Sequence, residues 1–299
     1  MRWRVIFLFF LLSAFCLFRL EAAGLSFKAD PGKVRLIIPA NSSQTGLIKV
    51  SSQSNEKIKI KVYLEDWVYT KLQDGTKDFS LAKSTPLSCA NWITFNPSEF
   101  LLAPYGVQAL NYVVRVPPDA KGGHYAVMFF EAAFLSESEN AESLEGAKPE
   151  DIRVGTFLNI RLGTLFYIET KDAVKYLAEL TNLSVSKEPK NKRLLVAADL
   201  KNTGNVDITA GGSFHIIDRE GLVFARGEFN NIYTFPGDTA KLTATWKEPL
   251  PKGKYDLILT LDLGKALEEL NMGRGSVITK EAEIEVGAEG EAIKVGELK

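Results

Sequence analysis

From residue 57 to residue 65 the chain alternates strictly. Ile58, Ile60, Val62 and Leu64 are apolar, and Lys57, Lys59, Lys61, Tyr63 and Glu65 stand between them. Successive side chains of an extended strand point to opposite faces, so this period gives one buried and one wet face; wound into a helix, it would scatter the apolar residues around the axis. The alternation returns at Val196, Ala198 and Leu200, and at Tyr255, Leu257, Leu259 and Leu261. Turn-forming residues separate such runs, as in Asp74-Gly75, Asn202-Thr203-Gly204-Asn205, Gly211-Gly212 and Pro236-Gly237. Helical spacing is confined to residues 172–180 and 265–270, each predicted as a short helix. The expected fold class is all-β.

An internal repeat gives the domain count. Pro104-Tyr105-Gly106 opens a strand through Val116, and Pro117-Pro118-Asp119 then leads to Gly123-His124-Tyr125 and an apolar run. In the second half Pro236-Gly237-Asp238 opens a strand through Trp246, and Pro249-Leu250-Pro251 leads to Gly253-Lys254-Tyr255 and another apolar run. Gly-x-Tyr entering a strand just after a proline turn is the pattern of a tyrosine corner, which pins the crossover between the sheets of an immunoglobulin-like sandwich. Two tandem sandwiches are therefore expected, with Tyr125 and Tyr255 as the corners. If Tyr125, Val127 and Phe129 face inward, His124 faces solvent, as Lys254 does in the second copy.

Arg2 and Arg4 precede a fourteen-residue, mostly apolar run from Val5 to Phe18, and Ala22, Ala23 and Gly24 follow Arg19. That is a secretory signal layout, too short for the ~20 residues of a spanning helix. The expected division is a signal peptide over 1–23, a first sandwich over 24–170, a second over 180–287 and a disordered tail over 288–299. Roughly 275 residues remain after cleavage, enough for two cores. Losing three arginines and one glutamate takes the formal net charge from −1 to −3, which excludes the basic excess that nucleic acid or anionic lipid attracts. Cys89 is then the one remaining cysteine, so no intramolecular disulfide and no cysteine metal site can form; a buried small apolar role is expected for it. Residues 136–151 carry six acidic residues and one lysine and are expected to be a loop.

Few residues suit catalysis. His124 and His215 are the only histidines, both inside strand patterns and neither at ligand spacing, so zinc and a histidine base are not expected. Glu65, Asp66 and Glu131 are the acids closest to apolar strands, but Glu65 falls on the wet face and Glu131 at the end of its run. Asp199, Asn205 and Asp207 lack the oxygen spacing of a calcium loop and read as turn formers. Trp67, Trp92, Trp246 and Tyr69 are the candidates for a carbohydrate platform, although sandwich cores use tryptophan equally.

Residues 27–169 carry Leu102-Ala103-Pro104-Tyr105-Gly106, the apolar strand Ala126-Val127-Met128-Phe129-Phe130-Glu131, a variable loop, and a last strand with Leu165-Phe166-Tyr167. In these features the region resembles the N-terminal domain of periplasmic pilus chaperones. The layout is also similar to Gram-positive surface proteins in which a peptidoglycan-binding domain precedes a host-binding domain, where Gly-Gly opens an apolar strand as Gly122-Gly123 does here. The resemblance implies two immunoglobulin-like domains and a partner met along the edge of the last strand. Pilus chaperones clamp a subunit's terminal carboxylate with a lysine just before Leu-Phe-Tyr and an arginine from the first strand. Here Thr164 holds the lysine position, and Arg35 and Arg161 are the nearby basic residues. Phe157, Arg161, Thr164 and Arg35 are thus the expected edge contacts. The functional expectation is a non-enzymatic, exported envelope protein, without cofactor or metal, that recognises a protein or cell-wall polymer through sheet edges. Its alternative is a periplasmic chaperone that donates residues 152–169 as a strand during subunit assembly.

Overall fold

The computed structural model describes residues 26–133, 159–188, 193–269, 276–287 and 293–299. The expected export segment and the acidic stretch 136–151 lie outside these. The first sandwich takes strands β1 (Phe27–Asp30), β2 (Lys33–Ile38), β3 (Ser43–Ser52), β4 (Ile58–Tyr69) and β5 (Lys77–Leu81). It continues with β6 (Ile93–Asn96), β7 (Glu99–Leu102), β8 (Val107–Arg115), β9 (Gly123–Ala133) and β10 (Asn159–Thr170). One sheet runs β1-β3-β8-β6; the other runs β2-β10-β9-β4-β5, with β7 also paired to β4. The initial chain segment therefore changes sheet between β1 and β2, and β2 pairs parallel with β10.

The alternation read from the sequence sorts residues between layers. Ile58, Ile60 and Val62 of β4 pack in the core between the two sheets with Ala126, Met128 and Phe130 of β9 and Phe166 and Ile168 of β10. β9 is apolar on its other face too: Tyr125, Val127 and Phe129 are buried in a second cluster outside the sandwich. A strand covered on both faces loses its polar alternation, which is why 125–130 reads as one continuous apolar run. This reverses the facing expected for His124. Its parity is that of the core residues, and its ring sits 4.2 Å from Trp92, centroid to centroid.

The second sandwich comprises β11 (Ala178–Lys187), β12 (Leu194–Asn202), β13 (Ile208–Ile217), β14 (Val223–Thr234), β15 (Thr239–Trp246), β16 (Gly253–Asp262), the short helix α1 (Lys265–Glu269), β17 (Val277–Val286) and β18 (Ile293–Val295). Its sheets are β11-β12-β15 and β14-β13-β16-β17-β18, and they close over inward-facing residues that include Val196, Leu200, Phe214, Leu242, Leu257 and Leu259. Tyr255 forms the expected corner, donating to the Pro251 carbonyl at 3.0 Å. Two expectations fail. Residues 172–180 are not helical, because Asn205 bonds Lys175 N and the Ala173 carbonyl and holds the linker extended. The tail is also ordered in part: β18 pairs with β17, and Ile293 and Val295 pack on the core. Among the described residues no helix is long and apolar enough to cross a membrane.

Burial lowers the pKa of His124, whose buried Nδ1 has no hydrogen-bond partner among the described residues. As pH falls below the unfolded value of about 6.5, the unfolded chain takes up this proton first, and stability present at neutral pH is lost. The urea midpoint should therefore fall between pH 7.5 and 5.5, and fall less in His124→Gln. Equal falls in the two proteins would remove His124 from the acid response.

Candidate partner-binding face and domain junction

Three strands build the outer face of the first sandwich in register. Lys61, Glu131 and Arg161 lie in one row, Tyr63, Phe129 and Gly163 in the next, and Glu65, Val127 and Leu165 in the third. Arg161 lies across Phe129, its guanidinium carbon 4.2 Å from the ring centroid, and reaches Glu65 at 3.4 Å. Phe79 of β5 meets Phe129 edge-on at 5.0 Å. Gly163 makes room for this stack: a Cβ there would stand 2.8 Å from Val127 Cγ2 and 3.1 Å from the Phe129 ring.

Among the described residues the sheet is open at the side of this face. β2 pairs with β10 only from Leu165 to Thr170, so residues 159–164 have β9 on one side and, among the described residues, no strand on the other. Leu165 N donates to the Gly32 carbonyl; by alternation Gly163 and Arg161 aim their N–H and C=O groups at the open side. The core beneath is incompletely covered there. Ile160 and Leu162 are half-buried, whereas Phe166 and Ile168, beneath β2, are fully buried.

The opposite end of the face is closed by the second sandwich. Arg35 of β2 donates to both carboxylate oxygens of Asp207, at 2.8 and 3.3 Å, and also to Glu169. Tyr176 donates to Glu169 at 3.2 Å, and Tyr125 both donates to the Asp207 carboxylate and accepts from Asp207 N at 2.6 Å. The Arg35 side chain is 2% exposed. Burial opposes its charge, but Asp207 and Glu169 outweigh burial and hold its pKa above the usual range. One guanidinium serves two carboxylates, and Glu169 carries the difference: burial, with Asp207 nearby, pushes its pKa up. Phe235 from the second sandwich plugs the aromatic layer, 4.4 Å from Tyr125 and 5.1 Å from Trp67. Gly122, at φ +75°, allows the two sandwiches to touch; a Cβ there would lie 2.1 Å from the Asn205 carbonyl oxygen, and Gly123 N donates to that oxygen at 2.8 Å.

Beside the junction lies a cavity of about 280 Å³ lined by Lys33, Tyr69, Lys77, Tyr167, Thr209 and Tyr233 among others. Burial and the neighbouring Lys33 charge lower the pKa of Lys77.

The residues singled out from the sequence separate accordingly. Arg161 is exposed on the face and sits at the open edge. Thr164 is fully buried and donates to the Pro31 carbonyl at 2.9 Å, and Arg35 is locked in the junction, so neither side chain is open to a partner. Phe157 lies outside the described residues. Tyr125 is not a corner within its own sandwich; its hydroxyl reaches across to Asp207, because its face of β9 is the one the second domain covers. Asp66, fully buried, accepts from Thr85 N, Thr85 Oγ1 and Ser88 Oγ and fixes that loop. Trp67 and Trp92 are buried, Trp246 is half-exposed, and Cys89 is sealed in the core, its thiol pKa pushed up by burial. Glu169 and Asp207 as partners of Arg35 were missed; the only sequence sign was an acid in each of two segments otherwise apolar.

No protein-family model matches the sequence, and no curated protein matches it. Among solved structures the chain is similar to the class 5 fimbriae chaperone CfaA, with 14% identity, 85% of this chain and 98% of that chain covered, and a TM-score of 0.46. It is similar also to the CupB2 chaperone of Pseudomonas aeruginosa, with 11% identity, 83% and 96% covered, and a TM-score of 0.37. A chain of the complex of Salmonella enterica SafA pilin with the SafB chaperone matches at 16% identity, 86% and 96% covered, with a TM-score of 0.38. These are likenesses of fold over most of the chain.

Replacing Arg35 by Met should leave Glu169 and Asp207 facing each other without a cation and cost about 3–5 kcal/mol of stability. Adding Glu169→Gln and Asp207→Asn should recover part of the loss. Guanidinium unfolding measures both, and a loss below about 1 kcal/mol in the single variant would show that the cluster contributes little.

Proposed function

We propose that this chain is a non-enzymatic extracytoplasmic protein that holds a partner polypeptide, in extended form, against the open edge of β10. The observation that carries the reading is the main chain of residues 159–164, which among the described residues pairs on the β9 side alone, above half-covered Ile160 and Leu162. An added strand there would satisfy edge N–H and C=O groups and finish covering the core, which is how β-augmentation gains affinity. Arg161, stacked on Phe129 and flanked by Glu65, stands beside the entering strand and supplies side-chain selectivity. What supports a non-catalytic reading is the placement of the reactive side chains: His124 packs on Trp92, Cys89 is enclosed, and Asp66 is spent on a loop.

Of the two functional expectations, the chaperone-like alternative fits this edge better than cell-wall binding, because an unpaired strand is matched by another extended main chain and not by a glycan. It fits in modified form. The outward positions of β10 are Arg161 and Gly163, not a row of large apolar donors, and no clamp for a terminal carboxylate is available at Thr164 or Arg35. Capture therefore rests on main-chain pairing.

Gly163→Pro removes an edge N–H while leaving the β9 side of the strand paired, and Gly163→Ala sets the same Cβ against Val127 and Phe129 but keeps the N–H. The tagged full chain, recovered from its own cell envelope, should carry a polypeptide that a photo-crosslinker at position 161 attaches. Gly163→Pro should lose it, and Gly163→Ala, with a similarly lowered unfolding midpoint, should keep it. Sedimentation with purified cell wall and no crosslinked polypeptide would overturn the proposal.

A further inference from the structure

The second sandwich carries a groove that partner capture on β10 does not use. Two neighbouring cavities, of about 430 and 410 Å³, both have Arg226 and Trp246 in their walls. The first is lined also by Ser213, His215, Gly227 and Glu228, and the second by Arg193, Thr245 and Lys247. His215 and Arg226 are cross-strand partners on β13 and β14, as are Ser213 and Glu228, so the four stand in two adjacent rows. Trp246 closes β15 in the inward-facing set, packs partly on the core, and stays half-exposed at the mouth between the two sheets. Gly227 lets β14 pass close to β15: a Cβ there would lie 2.5 Å from the Phe214 ring and 3.0 Å from the Thr245 carbonyl oxygen.

Two features of this groove point to a ligand. The Arg226 guanidinium makes no hydrogen bond or ion pair among the described residues, and neither does that of Arg193. An arginine fork left open in this way matches carboxylate or phosphate oxygens two at a time. The groove also offers the Trp246 ring beside these donors, with Lys247 Nζ 5.8 Å from its centroid, and has the volume of small-molecule pockets, far beyond what a bare ion fills. The charge balance favours an anion. Glu228 and Glu248 oppose Arg193, Arg226 and Lys247, and Glu248 is already paired with Lys247 at 3.5 Å.

We propose that this groove binds an acidic saccharide, with a sugar ring seated against Trp246 and its carboxylate or phosphate group held by Arg226. Ser213 and His215 bond ring hydroxyls, and Arg193 meets a second acidic group along the chain. An acidic peptide fits less well, because the walls offer hydrogen-bonding groups and no row of apolar side-chain pockets. The site is separate from the β10 edge, so its failure would leave the proposed polypeptide capture standing.

The test titrates the full chain, by tryptophan emission and calorimetry, with tetragalacturonate, its neutral methyl ester, a hexose 6-phosphate, the unmodified hexose, inorganic phosphate and tetraglutamate. Saturable binding of tetragalacturonate or of the hexose phosphate, at least tenfold tighter than its neutral counterpart, is expected, and the arm that binds identifies the acid. Arg226→Ala, at an exposed position, should weaken binding at least tenfold with the thermal midpoint unchanged, and Trp246→Phe should remove the emission change. The proposal is overturned if neither acidic sugar outbinds its neutral form, if inorganic phosphate or tetraglutamate binds as tightly, or if Arg226→Ala binds like the wild type.

Discussion

A single guanidinium holds the two halves of this molecule in register. Arg35 lies on the strand that has crossed from one sheet of the first sandwich to the other, and its carboxylate partners come from the end of β10 and the start of β13. Removing three charged groups from water has a large desolvation cost, which is offset only while all of them remain together. Sliding or rotating one sandwich against the other would strand a buried charge, so the domain arrangement is tied to this cluster. The aromatic layer does the rest, with Phe235 entering among Trp67, Tyr69 and Tyr125.

That constraint bears directly on recognition. An arginine near the first strand would be free to meet a partner's carboxylate in an open cleft, but here both of its terminal nitrogens are engaged within the chain. On the proposed reading, recognition falls to what the junction leaves uncovered among the described residues: the main chain of β10 before β2 joins it, and the stacked face of Tyr63, Phe79, Phe129 and Arg161. The sheet switch that buries Arg35 is also what leaves the edge open, since β2 begins pairing only at Leu165.

Much of this architecture was legible residue by residue. The alternation in β4 and β16 named the buried faces, and Gly253-Lys254-Tyr255 marked a true corner. The same motif misled at Gly123-His124-Tyr125. A tyrosine entering a strand after a proline turn looks identical whether its hydroxyl returns to its own turn, as Tyr255 does to Pro251, or crosses to another domain, as Tyr125 does to Asp207. His124 was misassigned for the same reason: when both faces of a strand are buried, parity gives two sets and no label for which is the core. The ordered β18 escaped notice because three residues carry too little pattern to register as a strand.

The sequence by itself determined the class of fold, the number of sandwiches and most members of each core, because those follow from local periodicity and turn chemistry. Only the tertiary structure decided that Arg35 meets Glu169 and Asp207, that among the described residues β10 keeps an open edge, and that Arg226 and Trp246 stand together in the walls of neighbouring cavities. Each of these depends on which sheet a strand joins and how two domains dock, and such long-range choices are set by the packing of residues far apart in the chain, which no local pattern records.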